Sequence, residues 1–306
     1  MNIKKTTMPI IGAMMVMFAA AMWGADGILL RPKLYHLDVP IVVFLEHFIA
    51  FILMSGFLIY EIKELKKLNK NDWLSFFWIA LFGGAIGTMA ITKALFYVNF
   101  EHLSVIIILQ KLQPLFAITL SIIILKEKPH TKFYIYALFA IIGSYLITFG
   151  FGLPTFTGNK LFIASMLSLL AAFSWGSATV FGKKVVNKVN FRVATYIRFG
   201  LTSIIMLIII TILNRFSSFN NIGKPELTTL LIIIFTSGGV GIFIYYYGLK
   251  WIQASKATIY ELAFPISAVL FDLIINKNIL SKSQGLGAII IITSMILITS
   301  MKSNKK

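Results

Sequence analysis

Long apolar stretches separated by short polar connections recur along the whole chain. Each is close to the roughly 20 residues that a helix needs to cross a bilayer. In hydrocarbon the backbone must satisfy its own hydrogen bonds, so stretches of this length are predicted to be helices and not strands. We therefore expect an all-α integral membrane protein with ten transmembrane helices. The ten stretches cover 8–30, 40–60, 73–97, 103–125, 133–151, 160–182, 193–213, 227–249, 256–275 and 284–301.

The composition points the same way. Of the 306 residues, 58% are hydrophobic and 13% are charged, and the mean hydropathy is +0.87. In soluble domains close to a quarter of the residues are charged, so this chain has too few polar residues to cover its surface in water. The absence of cysteine excludes a disulfide framework, a thiolate metal site and a cysteine nucleophile. The four histidines form no spaced ligand pair, and we expect neither a metal nor a cofactor.

Basic residues outnumber acidic ones by 28 to 11, which gives a net charge of +17. A nucleic-acid-binding protein would cluster them on a soluble surface, whereas here they lie between the apolar stretches. If both termini are cytoplasmic, the inner connections hold 18 lysines and arginines and the outer ones hold 7. The positive-inside rule then predicts a multi-pass protein of the cell (inner) membrane with both termini cytoplasmic. The expected partners are a small-molecule substrate and the lipid bilayer, and no nucleic acid.

Two short motifs recur at nearly the same displacement. Ala19-Ala20-x-x-Trp23-Gly24 returns 152 residues later as Ala171-Ala172-x-x-Trp175-Gly176, and Pro114-x-x-Ala117 returns 151 residues later as Pro265-x-x-Ala268. A near-constant displacement of about half the chain predicts a duplicated five-helix unit, with halves at 1–152 and 153–306. Because five is odd, the second half must enter the membrane from the opposite face. This is the inverted-repeat arrangement of many secondary transporters, whose substrate site lies near the midplane.

Each motif has a structural and a functional interpretation. An aromatic residue followed by glycine in a membrane helix commonly reflects packing, and proline commonly kinks the helix. The matched occurrence in both halves favours discontinuous helices that expose backbone to a cavity. We therefore place Trp23 and Trp175 beside a central cavity and predict helix kinks at Pro114 and Pro265.

A further set of residues carries a family resemblance. Trp23-Gly24 and Trp175-Gly176 lie in the first helix of each half, and 109–114 (Leu-Gln-Lys-Leu-Gln-Pro) runs on towards Leu125-Lys126-Glu127. This pattern resembles the EamA-like permeases of the drug/metabolite transporter superfamily. The second half departs from it, with Asn276-Lys277-Asn278 where the Leu-x-Glu segment would lie. The resemblance implies a ten-helix inner-membrane exporter or importer of amino acids, metabolites or drugs.

Ionisable side chains inside a membrane helix cost at least about 2.5–3.5 kcal/mol, so each is a site hypothesis. Counting depth along the predicted helices pairs Glu46 with Lys111 and Arg198 with Glu261. Such pairs either hold helices together or open to bind a charged substrate group or a proton. His47, beside Glu46, could titrate near neutral pH.

Some of the other polar residues are candidates for the lining of the cavity, and some are expected to lie outside it. Asp26, Lys93 and Asp272 lie near the outer ends of predicted helices, and we interpret them as snorkelling to the headgroups. The remaining candidates for the lining are Gln110, Gln113, Tyr246 and Tyr260.

The pattern favours a secondary active transporter that moves a small metabolite, such as an amino acid or an amphiphilic compound, by alternating access. The alternative is a membrane-embedded enzyme acting on a lipid or lipid phosphate, but a nucleophile–base pair, a metal cluster and a glycine-rich phosphate loop are all missing from the sequence. A channel would favour symmetric rings of one residue type, which a single asymmetric chain does not offer. The sequence has no nucleotide-binding motif. The transport could therefore be coupled to protons, or it could be simple exchange. We expect a monomer or a homodimer.

Overall fold

The computed structural model describes residues 3–97, 109–152 and 159–301, and these residues form helices and turns without any strand. The helices of the first half are α1 (Ile3–Leu29), α2 (Val39–Glu61), α3 (Lys70–Trp78), α4 (Gly87–Tyr97), α5 (Gln113–Ile124) and α6 (Thr131–Phe149). Those of the second half are α7 (Asn159–Val186), α8 (Phe191–Ile212), α9 (Lys224–Phe235), α10 (Gly239–Trp251), α11 (Ala254–Tyr260), α12 (Ala263–Asn276) and α13 (Lys282–Ser300).

Nine helical stretches of the described chain are long and apolar enough to cross a membrane, with mean hydropathies from 1.5 to 2.2. They match nine of the ten predicted stretches, so the expected all-α membrane protein is confirmed. The remaining stretch, 103–125, lies partly outside the described residues, and α5 forms its second portion as a shorter apolar helix.

Four of the predicted stretches contain an interruption. A π-helical segment, Ile79–Ile86, joins α3 to α4, and residues 236–238 separate α9 from α10. Turns at 111–112 and 261–262 precede α5 and α12. Pro114 and Pro265 are the second and third residues of those helices, where a missing backbone N–H costs no helical hydrogen bond. The two prolines predicted as kinks thus each lie at the start of a new helical piece.

The helices pack in pairs that correspond under the displacement of about 152 residues. In the first set α1 packs against α10 and α12, and in the corresponding set α7 packs against α4 and α5. The other main contacts join α2 to α8 and α6 to α13, and each of these joins a helix to its own counterpart.

Small residues permit the close approach of the paired helices. A methyl group at Gly24 would lie 2.9 Å from the amide nitrogen of Ala268 in α12. In the corresponding place, a methyl group at Gly176 would lie 3.1 Å from the amide nitrogen of Ala117 in α5. The two Trp-Gly motifs therefore pack against the two Pro-x-x-Ala motifs, each across the boundary between the halves.

We call the side on which α1 begins the N-terminal face. A methyl group at Gly12 would lie 2.9 Å from Cβ of Trp251, so the end of α10 lies on this side. Near the other end of the described chain, Lys256 Nζ donates to the carbonyl oxygen of Met301 at 3.3 Å. Both ends of the described chain therefore lie at the N-terminal face.

Candidate functional site

The helix breaks before α5 and α12 meet inside the bundle. The Gln113 amide nitrogen donates to Glu261 Oε2 at 2.5 Å. The Lys111 ammonium lies 3.9 Å from the centroid of the Phe264 ring, a distance typical of a cation–π contact. Gln113 and Phe264 occupy corresponding positions in the two halves, each directly before its proline. The two interruptions thus place an acid, a base and an amide together.

Glu261 is held by donors from three other helices. Its Oε1 accepts from the Tyr245 hydroxyl of α10 at 2.7 Å and from the Thr179 hydroxyl of α7 at 3.2 Å, while Gln113 of α5 binds Oε2. A carboxylate in an apolar bundle requires such partners, because an unpaired charge is costly to bury. Tyr245 and Thr179 are not among the candidate residues predicted from the sequence. Thr179 lies one helical turn after Trp175, and this spacing could have revealed it.

Aromatic rings lie close to this carboxylate. The rings of Trp23 and Tyr245 lie 5.4 Å apart, centroid to centroid. The Trp23 indole donates to the carbonyl oxygen of Ser237 at 2.9 Å, in the break between α9 and α10 where the backbone leaves the helix. Trp175 lies at the corresponding place, and a methyl group at Gly87 would be 2.7 Å from its indole nitrogen. Both tryptophans are thus located beside interrupted helices.

Lys111 is the basic member of the site, and it is partly buried. Among the described residues no carboxylate lies within 4.0 Å of its ammonium. The predicted Glu46–Lys111 pair is therefore wrong. The ammonium lies over the aromatic Phe264 ring, beside both breaks, where its N–H groups can donate to an acceptor of a bound molecule.

Glu46 pairs with Arg31, which follows α1 in a 3₁₀ turn. Arg31 Nη1 lies 2.8 Å from Glu46 Oε1, and Arg31 Nε lies 2.9 Å from Asp26 Oδ2. Burial alone would lower the pKa of the Arg31 guanidinium, but the attraction of Glu46 and Asp26 outweighs it and raises this pKa above its ordinary value. Asp26 is only 5% exposed, so its predicted snorkelling is also wrong. The Arg31 guanidinium folds back from the connection after α1, and depth along the helices alone does not reveal such a contact.

The predicted Arg198–Glu261 pair is wrong as well. The Arg198 guanidinium donates to the Tyr246 hydroxyl at 3.3 Å and lies 5.6 Å from the centroid of its ring. Tyr246 is fully buried. Its neighbour in α10, Tyr245, is the residue that donates to Glu261. Of these two adjacent tyrosines, Tyr246 therefore accepts from Arg198 and Tyr245 donates to Glu261.

The remaining candidates do not bond to Glu261 in the part of the chain that the structure describes. His47 Nδ1 lies 2.8 Å from the Val43 carbonyl oxygen, one turn earlier in α2. The Tyr260 hydroxyl accepts from Thr299 of α13 at 3.0 Å. Gln110 is partly buried at the end of the helical residues before the first break. Among the described residues, no three histidine, aspartate or glutamate side chains are grouped to hold a metal ion.

Glu127, part of the resemblance to the permeases, bridges the halves at the N-terminal face. Its carboxylate accepts from the Ala254 amide at 2.7 Å, and from the Ser255 amide at 3.1 Å and hydroxyl at 2.6 Å. It therefore binds the first turn of α11, where unsatisfied N–H groups favour a negative charge. In this way the end of α5 is tied to the helix that leads to Glu261.

Comparisons with known proteins agree with this architecture. Over 292 residues the chain is 49% identical to a protein named riboflavin transporter ImpX of Fusobacterium nucleatum subsp. nucleatum, covering 95% of this chain and 98% of the relative. It is 24% identical over 265 residues to the uncharacterized transporter sll1164 of Synechocystis, covering 80% of this chain and 71% of that protein. A solved crystal structure of a protein superposes with a TM-score of 0.75 at 12% identity, covering 96% of this chain and 99% of that one, which shows a shared fold. The model of the EamA-like transporter family matches twice, at residues 10–149 and 162–300. The chain therefore belongs to the EamA-like transporter family.

Proposed function

We propose that this protein is a secondary active transporter that carries riboflavin across the cell membrane by alternating access. The observation that carries the proposal is the meeting of two broken helices around Lys111, Gln113 and Glu261, beside aromatic rings. The name of the relative with 49% identity over nearly the whole chain supplies the substrate.

The chemistry of the site suits a flavin. The isoalloxazine ring is planar and aromatic, and one edge carries an N–H group between two carbonyl groups. Glu261 offers an acceptor for that N–H, and Lys111 and Gln113 offer donors for the carbonyl oxygens. Trp23, which is partly exposed, offers a face on which the ring can stack, next to the buried ring of Tyr245. In this proposal the flavin edge takes the place of the Gln113 amide on Glu261.

Alternating access requires two halves that can rock about such a site. We propose that 1–152 and 153–306 are two inverted five-helix repeats, and that 103–125 forms the tenth transmembrane helix. Three observations support this: the family model matches twice, the Trp-Gly and Pro-x-x-Ala motifs make corresponding contacts, and the helices are interrupted at corresponding places. We further propose that the N-terminal face is cytoplasmic, because the lysines and arginines of the connections concentrate there.

Uptake of labelled riboflavin into liposomes that contain the purified protein tests this function. We expect saturable uptake that excess unlabelled riboflavin abolishes and that an amino acid mixture leaves unchanged. Uptake that accelerates with an imposed pH gradient would assign the proton as coupling ion, whereas a dependence on internal riboflavin alone would assign exchange. Liposomes with protein that take up riboflavin no faster than empty liposomes would contradict the proposal.

A further inference from the structure

The second helix of each half begins with a capping residue that also reaches the other half. α2 follows Asp38 and α8 follows Asn190, and these positions are 152 residues apart. The Asn190 side-chain oxygen accepts from the Arg192 amide at 3.2 Å, as an N-cap does. The Asp38 carbonyl oxygen accepts from the Ile41 amide at 3.0 Å, which closes the first turn of α2. The two residues lie at opposite faces of the protein.

At the N-terminal face, Asn190 binds the last residue of α2 and the connection that follows it. Its Nδ2 donates to Glu61 Oε1 at 3.1 Å, and its backbone N–H donates to Glu64 Oε2 at 3.1 Å. Arg192 Nη1 lies 2.9 Å from the same Glu61 oxygen. Beside them, Lys188 Nζ lies 2.8 Å from Asp72 Oδ2. Each of these contacts crosses from one half to the other.

At the opposite face, Asp38 binds the connection that follows α8. Its Oδ2 accepts from the Ser218 hydroxyl at 3.2 Å and lies 3.6 Å from Arg215 Nε. The donor and acceptor roles are therefore reversed between the two faces. Asn190 donates to carboxylates, whereas Asp38 accepts from a hydroxyl and lies beside a cation. The contact at this face is also the more exposed one, since the Arg215 and Asp38 side chains are 58% and 22% exposed, whereas those of Arg192 and Glu61 at the other face are 46% and 13% exposed.

We infer that Asn190 and Asp38 are the gate residues of the transport cycle, Asn190 closing the N-terminal face and Asp38 the opposite face in alternation. The inference rests on the proposed alternating access and specifies which contacts break at each face. Polar contacts suit this role, because groups that separate at a surface return to water and their net contribution is small. A polar cavity of about 480 Å³, lined by Glu61, Glu64, Lys188 and Asn190, gives water a place beside the contacts of Asn190.

Asn190→Asp tests the gate without removing the cap, because aspartate caps helices as well as asparagine does. The substitution places a carboxylate against Glu61, so the N-terminal face should open. Since the native chain contains no cysteine, Val189→Cys can report the opening. Val189 is 2% exposed and lines the same cavity. We expect an impermeant maleimide to label this cysteine about tenfold faster in the Asn190→Asp background, because like charges in contact are strongly unfavourable.

Two further variants make the result specific. Glu61→Gln with Glu64→Gln should return labelling of the Asn190→Asp protein to the rate seen with native Asn190, and this also shows that the variant folds. Asp38→Asn, which changes the contact at the other face, should leave labelling of Val189→Cys unchanged or slower. Equal labelling rates with native Asn190 and with Asn190→Asp would overturn the inference. Because labelling needs no riboflavin, this failure is distinct from a failure to transport riboflavin.

Discussion

Gly176 packs against the backbone of Gln113, the residue whose side chain reaches Glu261. A methyl group at Gly176 would lie 2.9 Å from the Gln113 carbonyl oxygen. Gly24 packs in the same way against Phe264 in the other half. Each glycine of the two Trp-Gly motifs therefore sets how closely a long helix approaches a helix break that carries the site.

Gly176→Ala is the first substitution that follows from this packing. Because the facing atoms include the Gln113 carbonyl oxygen and the Ala117 amide nitrogen, which belong to the backbone, the methyl group must push the break apart, and overpacking of this kind costs about 1–3 kcal/mol. We expect a lower melting temperature in detergent and slower riboflavin uptake. Gly27→Ala is the matched control, because among the described residues no atom outside the adjoining stretch of its own helix lies within 4 Å of the new methyl group. Equal melting temperatures for the two variants would show that the close approach is unimportant.

Lys111→Met separates binding from stability. The methionine keeps most of the apolar length, and no described carboxylate within ion-pair distance loses its partner. We expect riboflavin uptake to fall at least about tenfold, since a hydrogen bond from a charged donor contributes about 1.5–3 kcal/mol, while the melting temperature is kept or raised. Lys93→Met, at an exposed lysine in α4, should leave both quantities unchanged. A Lys111→Met protein with normal uptake would remove Lys111 from the site.

Arg31→Ala should destabilise the protein because it leaves Asp26 and Glu46 buried without their cation. Breaking a buried pair costs about 3–5 kcal/mol, and the cost here should be nearer about 2–3 kcal/mol because solvent screens an arginine that is partly exposed. Thermal or denaturant unfolding in detergent measures the loss. Adding Asp26→Asn and Glu46→Gln to Arg31→Ala should recover most of the stability, since the buried charges are then gone. A triple variant as unstable as Arg31→Ala would contradict this account of the cluster.

The apolar stretches were predictable because hydrocarbon imposes a simple rule on the backbone. Pro114 and Pro265 likewise indicated the breaks, since proline cannot occupy the middle of a helix without loss of a hydrogen bond. Glu261, Lys111 and Gln113 could be named as candidates because polar side chains are costly in such stretches.

The partners of the charges were not predictable in the same way. Depth along a straight helix gives height in the membrane but not direction around the helix axis. It therefore predicts an Arg198–Glu261 pair, although Arg198 contacts Tyr246. Depth likewise predicts a pair of Glu46 with Lys111. The true partner, Arg31, is not predictable because the turn that brings it back towards Asp26 leaves no periodic pattern in the sequence. Tertiary contacts of this kind depend on how the helices pack.

Riboflavin binding to the purified protein tests the central claim most directly, through quenching of flavin fluorescence by the stacked aromatic rings. We predict saturable quenching by the native protein and by Asp272→Asn, whose carboxylate is bound by Asn276 and Asn278 away from the breaks. Glu261→Gln should bind riboflavin at least about tenfold more weakly, because it loses the charged acceptor for the ring N–H. A Glu261→Gln protein that binds riboflavin as tightly as the native protein would contradict the account.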